Sequence, residues 1–310
     1  MRSTRHIRVG CRRSSLAIAQ SEEILTVLRS LYPELVFKTV PIATQGDRNP
    51  LTPLKDLERG SFAKDIEVSL LNGGIDIAIH SAKDLTIQSP KGLVLAALNK
   101  RLDPRDVLIN KWNLTLSDLP EGARIGTSSP RRTAQIKHLR PDLNVIPIRG
   151  NVDSRIRKIQ SREYDGIILA AAGLIRLNRS REITEYLDPD SFLPEIGQGA
   201  LAIQVRSDDH ELLDMMKYVN HTPTFIAVTS ERSFQKVIGG GCTIPVTAFS
   251  EIIDSNISLK TMAAKPDGSQ IFTNTTLFDI NEPEQAGVHA ANLLISSGAG
   301  GILDRDTTYE

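Results

Sequence analysis

The chain has 310 residues, 40% hydrophobic and 24% charged, with 37 basic side chains balanced by 37 acidic ones. This is enough chain to bury a substantial core in two or three domains. No apolar run approaches the roughly 20 residues of a bilayer span, and the basic N-terminus MRSTRHIRVG lacks the apolar core of a secretory signal, so no membrane partner is expected and the expected location is the cytoplasm.

Over the first two hundred residues, short apolar β-type runs alternate with helical patterns, which predicts parallel α/β architecture. The expected strands are 6–11, 36–43, 75–79, 93–98, 124–127, 145–148 and 166–170. The expected helices are 15–31, 62–71, 130–139 and 152–160, with Ser14 and Ser129 as N-caps and Pro130 in the first helical position. Residues 44–61 have little periodicity and read as a long lid or binding loop. Two similar lobes fit this pattern, with a break near Leu102-Asp103-Pro104 and a later strand, 200–205, returning the chain to the first lobe. Two crossing segments of this kind make a hinge. After Thr222 come a helix to Val237, a glycine run, strands at 244–251, 257–263 and 270–277, and a last helix at 282–295, a small α+β domain with an antiparallel sheet. The expected domains are 1–102 with 200–220, then 103–199, then 221–310.

The zero net charge is unevenly placed. Residues 124–181 hold eleven arginines and two lysines against four acids, a net +9 that the rest of the chain offsets. Arginine outnumbers lysine 24 to 13, and its planar fork matches a carboxylate or phosphate with two parallel hydrogen bonds. An anionic ligand is implied.

Four expected strands end in polar or basic clusters, the place where open α/β sheets hold ligands. His80-Ser81-Ala82-Lys83-Asp84 closes one strand; taken alone, Lys83 beside Asp84 is an ordinary surface pair. Thr127-Ser128-Ser129-Pro130-Arg131-Arg132 joins a strand to a helix N-terminus, where backbone N–H groups, capping hydroxyls and two arginines suit an anion. Arg149 and Arg155 flank the turn of a third cluster, and Arg12 with Ser14 ends the first strand. These arginines act on one ligand only if their strands share a cleft.

The two cysteines, Cys11 and Cys242, lie far apart, which argues against a structural disulfide. Cys11 sits in an apolar strand and reads as a core residue. Cys242 follows three glycines, a setting that leaves a thiol accessible for covalent chemistry. The six histidines have no metal-ligand spacing, no phosphate-loop or dinucleotide fingerprint is present, and one tryptophan with 5% aromatics offers little for base stacking. No metal and no nucleic acid is therefore expected as a partner.

Taken together, HSAKDL at 80–85, GTSSPRR at 126–132, IRGNVDSR at 148–155, DGIILAAAGLIRL at 165–177, LPEIGQGALAI at 193–203 and GGGCTIPV at 239–246 resemble the hydroxymethylbilane synthase (porphobilinogen deaminase) family in order and spacing. The resemblance implies two lobes similar to periplasmic anion-binding proteins, with a hinge, plus a C-terminal α+β domain bearing a cofactor cysteine. It implies a monomeric transferase that condenses four porphobilinogen molecules, with loss of ammonia, into a linear tetrapyrrole. A dipyrromethane cofactor would be held by a thioether at Cys242, and Asp84 would be the catalytic carboxylate. By the same resemblance, Ser81, Lys83, Thr127, Ser129, Arg131 and Arg132 hold cofactor carboxylates, while Arg12, Ser14, Arg149, Arg155 and Arg176 hold those of the incoming substrate. The chain departs from the family pattern at Thr86, where a proline is usual, and at Leu57-Glu58 and Arg59 in the lid. The competing reading is a two-lobed carboxylate- or anion-binding protein without chemistry.

Overall fold

A computed structural model describes residues 6–48, 60–160, 163–239 and 244–303. The chain runs β1 (His6–Arg12), α1 (Ser15–Leu31), β2 (Val36–Ile42), α2 (Gln45–Arg48), α3 (Lys64–Leu71), β3 (Ile77–Ser81), β4 (Leu93–Leu98), β5 (Asp106–Asn110), β6 (Arg124–Gly126) and α4 (Pro130–Leu139). It continues through β7 (Asn144–Ile146), α5 (Val152–Ile159), β8 (Gly166–Ala170), α6 (Ala171–Arg176), β9 (Glu185–Tyr186), β10 (Leu201–Arg206), α7 (His210–Lys217) and α8 (Thr222–Ile238). Last come β11 (Val246–Ile253), β12 (Asn256–Ala264), β13 (Ile271–Asp279), α9 (Pro283–Leu294) and α10 (Gly300–Leu303). By contacts the chain forms two compact units, Met1–Leu102 with Gly199–Phe225, and Asp103–Gln198 with Ile226–Glu310.

The first unit is built on a five-stranded sheet of order β2-β1-β3-β10-β4. β1 is parallel to β2 and β3, but β10 is antiparallel to both β3 and β4, so the sheet is mixed rather than wholly parallel. Ile77, Ala78, Ile79 and His80 are all buried, because helices cover both faces of β3. Ile77 and Ile79 pack toward α1 with Ile24, Leu25 and Leu28, while Ala78 packs with Ile66 and Leu70 of α3. A Cβ on Gly10 would lie 2.3 Å from Ile75 Cδ1, so a side chain there requires Ile75 to shift.

The second unit repeats this plan with a sheet of order β7-β6-β8-β5-β9, in which β6 is parallel to β7 and β8 and β5 is antiparallel to β8. A shared tie marks the repeat. Arg8 donates from its backbone N, Nε and Nη2 to Asp76, and Arg124 donates from the same three atoms to Asp165, all at 2.9–3.0 Å. Each tie sits where the sheet's central parallel strands begin, opposite to the end where ligands are expected. The two lobes therefore resemble each other in topology and in this staple, as the alternation of patterns predicts.

The same unit carries the antiparallel sheet β11-β12-β13. α9 lays Ala286, Ala290, Ala291 and Leu294 against this sheet with Phe234 of α8. The stretch Pro283–Leu303 is long and apolar enough in composition to cross a bilayer, contrary to the sequence reading. Its alanine face is core, and Gly298 at φ 113° breaks the helix. The turn after β12 docks on α4: His138 Nδ1 lies 3.1 Å from the Gly268 carbonyl oxygen, and Ala134, Met262 and Ala264 share a small core.

Several boundaries differ from expectation. Residues 45–48 of the expected loop form α2, and 49–59, including Leu57, Glu58 and Arg59, lie outside the described residues. The strand expected at 75–79 runs Ile77–Ser81, with Asp76 just before it taking the Arg8 staple. Cys242 also lies outside the described residues. The first glycine of its run, Gly239, is described: it follows α8 at φ 66° and donates its N–H to Gln235 O, a helix stop.

Candidate active site

In the first unit, β1 and β3 are parallel, so their C-terminal ends bring Arg12, Ser81 and the short helical turn Ala82–Asp84 to one rim. Ser14 caps α1 beside them, its Oγ accepting from Ala17 N at 3.2 Å. Ser81 Oγ likewise accepts from the buried Gln20 Nε2 at 2.8 Å. A hydroxyl fixed as acceptor turns its own O–H outward as a donor, the polarity an anionic ligand needs. Lys83 is exposed and Asp84 half-buried, and among the described residues no side chain is bound to the Asp84 carboxylate. Thr86, the departure from the family's proline, holds Gln88 O at 2.8 Å, and its methyl lies 2.8 Å from where a Cβ on Gly60 would be.

Arg12 is not open in the way the sequence suggests. Its Nη2 meets Asp47 Oδ1 at 2.5 Å and its guanidinium lies 4.1 Å from the centre of the Phe62 ring. Burial alone would push the Asp47 carboxyl up, but Arg12 and the Thr44 hydroxyl at 2.8 Å hold it below the ordinary range. About a quarter of the Arg12 side chain remains exposed for a ligand.

In the second unit, β6, β7 and β8 run parallel, so Thr127, Ser129, Arg149 and, through α6, Arg176 follow the same sheet edge. Ser129 caps α4 by accepting from Arg132 N at 3.4 Å, and Thr127 Oγ1 accepts from Ser129 N at 3.2 Å, which leaves each hydroxyl hydrogen free to turn toward an anion. Ser128, not singled out by sequence, ties the turn by bonding both Ile148 O and Ile148 N. Arg131 and Arg132, expected to face a ligand outright, are almost fully buried and clamp Asp106, which is 0% exposed. Arg131 Nη1 is 2.7 Å from Asp106 Oδ2, and Arg132 Nη2 is 2.7 Å from Asp106 Oδ1. Gln198 Nε2 reaches the same carboxylate at 2.9 Å, and Arg131 Nε donates to Glu195 at 3.1 Å. Burial would push the Asp106 carboxyl up; the two guanidiniums outweigh it and hold it far below the usual range.

Asp106 reaches this edge because β5 is antiparallel: Asp106 pairs with Ala170, so the first residue of β5 lies beside the last of β8. Sequence order hides this, and it hides Gln20, Asp47, Glu195 and Gln198 for the same reason, since each acts from an element remote in the chain. Other arginines of the +9 segment are ordinary structural ties: Arg124 to Asp165, Arg140 to Asp142, and Arg179 to Asp153 and Glu182. Arg155 differs. It donates Nε to Gly150 O at 2.8 Å, and its basicity is pulled down to about 10 by burial, with Arg132 and Arg149 adding like-charge repulsion. Burial also lowers Arg149. A rim where cations crowd one another favours a ligand with several negative charges. No cluster of three or more His, Cys, Asp or Glu among the described residues could hold a metal ion.

The sequence model described as "Porphobilinogen deaminase, dipyromethane cofactor binding domain" matches residues 7–214, and that of the porphobilinogen deaminase C-terminal domain matches residues 225–296. The chain belongs to the porphobilinogen deaminase family. It is 44% identical to porphobilinogen deaminase of Brevibacillus brevis over 298 residues, 96% of each chain. It is 42% identical to that of Bacillus subtilis over 304 residues, 97% of this chain and 96% of the relative. Among solved structures, the methionine-binding protein MetQ aligns at 13% identity with a TM-score of 0.44, covering 69% of this chain and 88% of that one. In the porphobilinogen deaminase frame the first match spans both rims described above, and the second covers the antiparallel sheet with α8 and α9.

Proposed function

We propose that the protein is a hydroxymethylbilane synthase: it joins four porphobilinogen molecules, releasing four ammonia, on a dipyrromethane cofactor carried by Cys242, and frees hydroxymethylbilane by hydrolysis. The observation that carries this reading is the rim of the second unit, where the parallel strands bring the Thr127 and Ser129 hydroxyls, Arg149 and Arg155 to one sheet edge beside the N-terminus of α4. Each pyrrole of such a chain bears an acetate and a propionate, so the ligand is a polycarboxylate, and this donor set fits it.

On this reading Ser81, Lys83, Thr127, Ser129, Arg131 and Arg132 hold the carboxylates of the cofactor, and Arg12, Ser14, Arg149, Arg155 and Arg176 those of the incoming unit. The bound cofactor supplies a nucleophilic pyrrole carbon at its free end. Asp84, at the end of β3, accepts pyrrole N–H hydrogen bonds and places its negative charge where positive charge develops as ammonia leaves. Its setting supports the role: the turn Ala82–Asp84 is anchored by Ala82 N donating to Ala200 O at 3.0 Å, so the carboxylate is carried on rigid backbone. The same reading makes the protein a cytoplasmic monomer whose partner is its small-molecule substrate.

The test is Asp84→Asn, which keeps shape and removes charge. Turnover is expected to fall by about 10²-fold or more, while the mass of the cofactor-bearing protein and its melting temperature stay near those of the parent. Turnover within a factor of about three of the parent would overturn the role given to Asp84.

A further inference from the structure

Two acids hold Arg131, and they differ in kind. Asp106 is 0% exposed, is shared with Arg132 and also accepts from Gln198, so its departure would orphan two buried guanidiniums. Glu195 keeps 32% of its side chain exposed and meets Arg131 through one hydrogen bond, from Nε at 3.1 Å. The backbone around it is anchored: Pro194 O accepts from Thr247 Oγ1 at 2.6 Å, Glu195 O accepts from Gln198 N at 2.9 Å, and Ile196 is buried in the core under α9. The side chain can therefore swing into solvent without disturbing its turn. With Glu195 in place, the two arginines are neutralised by two acids; with it swung away, the pair carries one net positive charge.

We propose that Glu195 is an exchangeable counter-ion, a carboxylate of the ligand's own kind that occupies Arg131 until a cofactor carboxylate displaces it, and so sets how readily the cofactor loads. The proposal rests on the reading of Arg131 as a cofactor-carboxylate residue. Glu195 acts through Arg131 and is a positioning residue, not a catalytic one. The exchange breaks one N–H···O contact and forms another of the same type, so its net cost is that of a partly exposed ion pair, about 0.4–1 kcal/mol. Removing the competitor should thus ease loading by about two- to fivefold.

The full-length chain, prepared without cofactor, would be titrated with porphobilinogen, and the cofactor-bearing fraction read by intact mass. Glu195→Gln keeps an acceptor for Arg131 Nε and removes only the charge; Glu195→Ala removes the side chain. Both are expected to reach half-loading at about two- to fivefold lower porphobilinogen than the parent, an advantage that narrows as salt is raised. Half-loading at the parent's concentration in E195Q, or impaired loading in E195A, would overturn the proposal and leave Glu195 as a structural tie. A parent chain that takes up no cofactor at all would instead overturn the reading on which the proposal stands.

Discussion

Asp106 is the residue on which the arginine pair depends, and its replacement has a calculable cost. In Asp106→Asn the charge is lost, while one amide oxygen replaces a carboxylate that takes 2.7 Å contacts from both Arg131 and Arg132. The new NH₂ group would point a donor at donors. Breaking a buried ion pair from one side costs about 3–5 kcal/mol, a large share of the roughly 5–15 kcal/mol that holds a typical domain folded. The lone tryptophan, Trp112, packs against the core of the same unit, so its fluorescence in a urea titration reports the right region. The sign of the pH dependence also follows. A carboxyl depressed below its ordinary 3.8 contributes stability above that value and loses it as pH falls through the lower folded value. The gap between parent and variant is therefore expected to stay level from about pH 8 to about pH 4 and to close only in stronger acid. A gap under about 1 kcal/mol at neutral pH, or one that closes between pH 7 and 5, would refute the account of this cluster.

Two further perturbations follow from the structure. His80 is buried, and burial, only partly offset by the Gln204 side chain, lowers its pKa to about 4 from 6.5. It stays neutral in the fold, so stability present above pH 6.5 should fall by up to about 1.4 kcal/mol per pH unit on acidification toward pH 4. His80→Asn is expected to lack that slope, and denaturation at pH 7 and pH 5 distinguishes the two. Gly268 sits at φ 73°, and a Cβ there would lie 2.5 Å from Ala134 O and 2.7 Å from His138 N. Gly268→Ala should cost about 1–3 kcal/mol in strain alone and loosen α4, which begins with the arginine pair; an unchanged melting temperature would contradict this docking.

Much of the fold was legible because β3 and β8 are covered on both faces and read as continuous apolar runs, and because Ser14 and Ser129 cap their helices as their positions imply. β5 and β9 were not: β5 is five residues bounded by Asp106 and Asn110, and β9 is two residues long, too little for a period to show. The antiparallel course of β5 and β10 was hidden as well, since strand direction is set by tertiary pairing. The candidate residues divide the same way. The arginines, the hydroxyls and Asp84 lie in compact strand-end clusters that chain order displays. Their acidic partners do not, and Arg124 looked like the other arginines of the basic segment until its staple to Asp165 placed it at the far end of the strands. The crowding of Arg155 with Arg132 and Arg149 emerges only when β6, β7 and their helices are assembled.

The most direct test of the central claim is the intact mass of the native protein, with any adduct mapped by peptide fragmentation. The account predicts an excess equal to two porphobilinogen units less two ammonia, located on Cys242 and absent from Cys242→Ser. A native protein whose Cys242 is unmodified, and stays so on incubation with porphobilinogen, would contradict it.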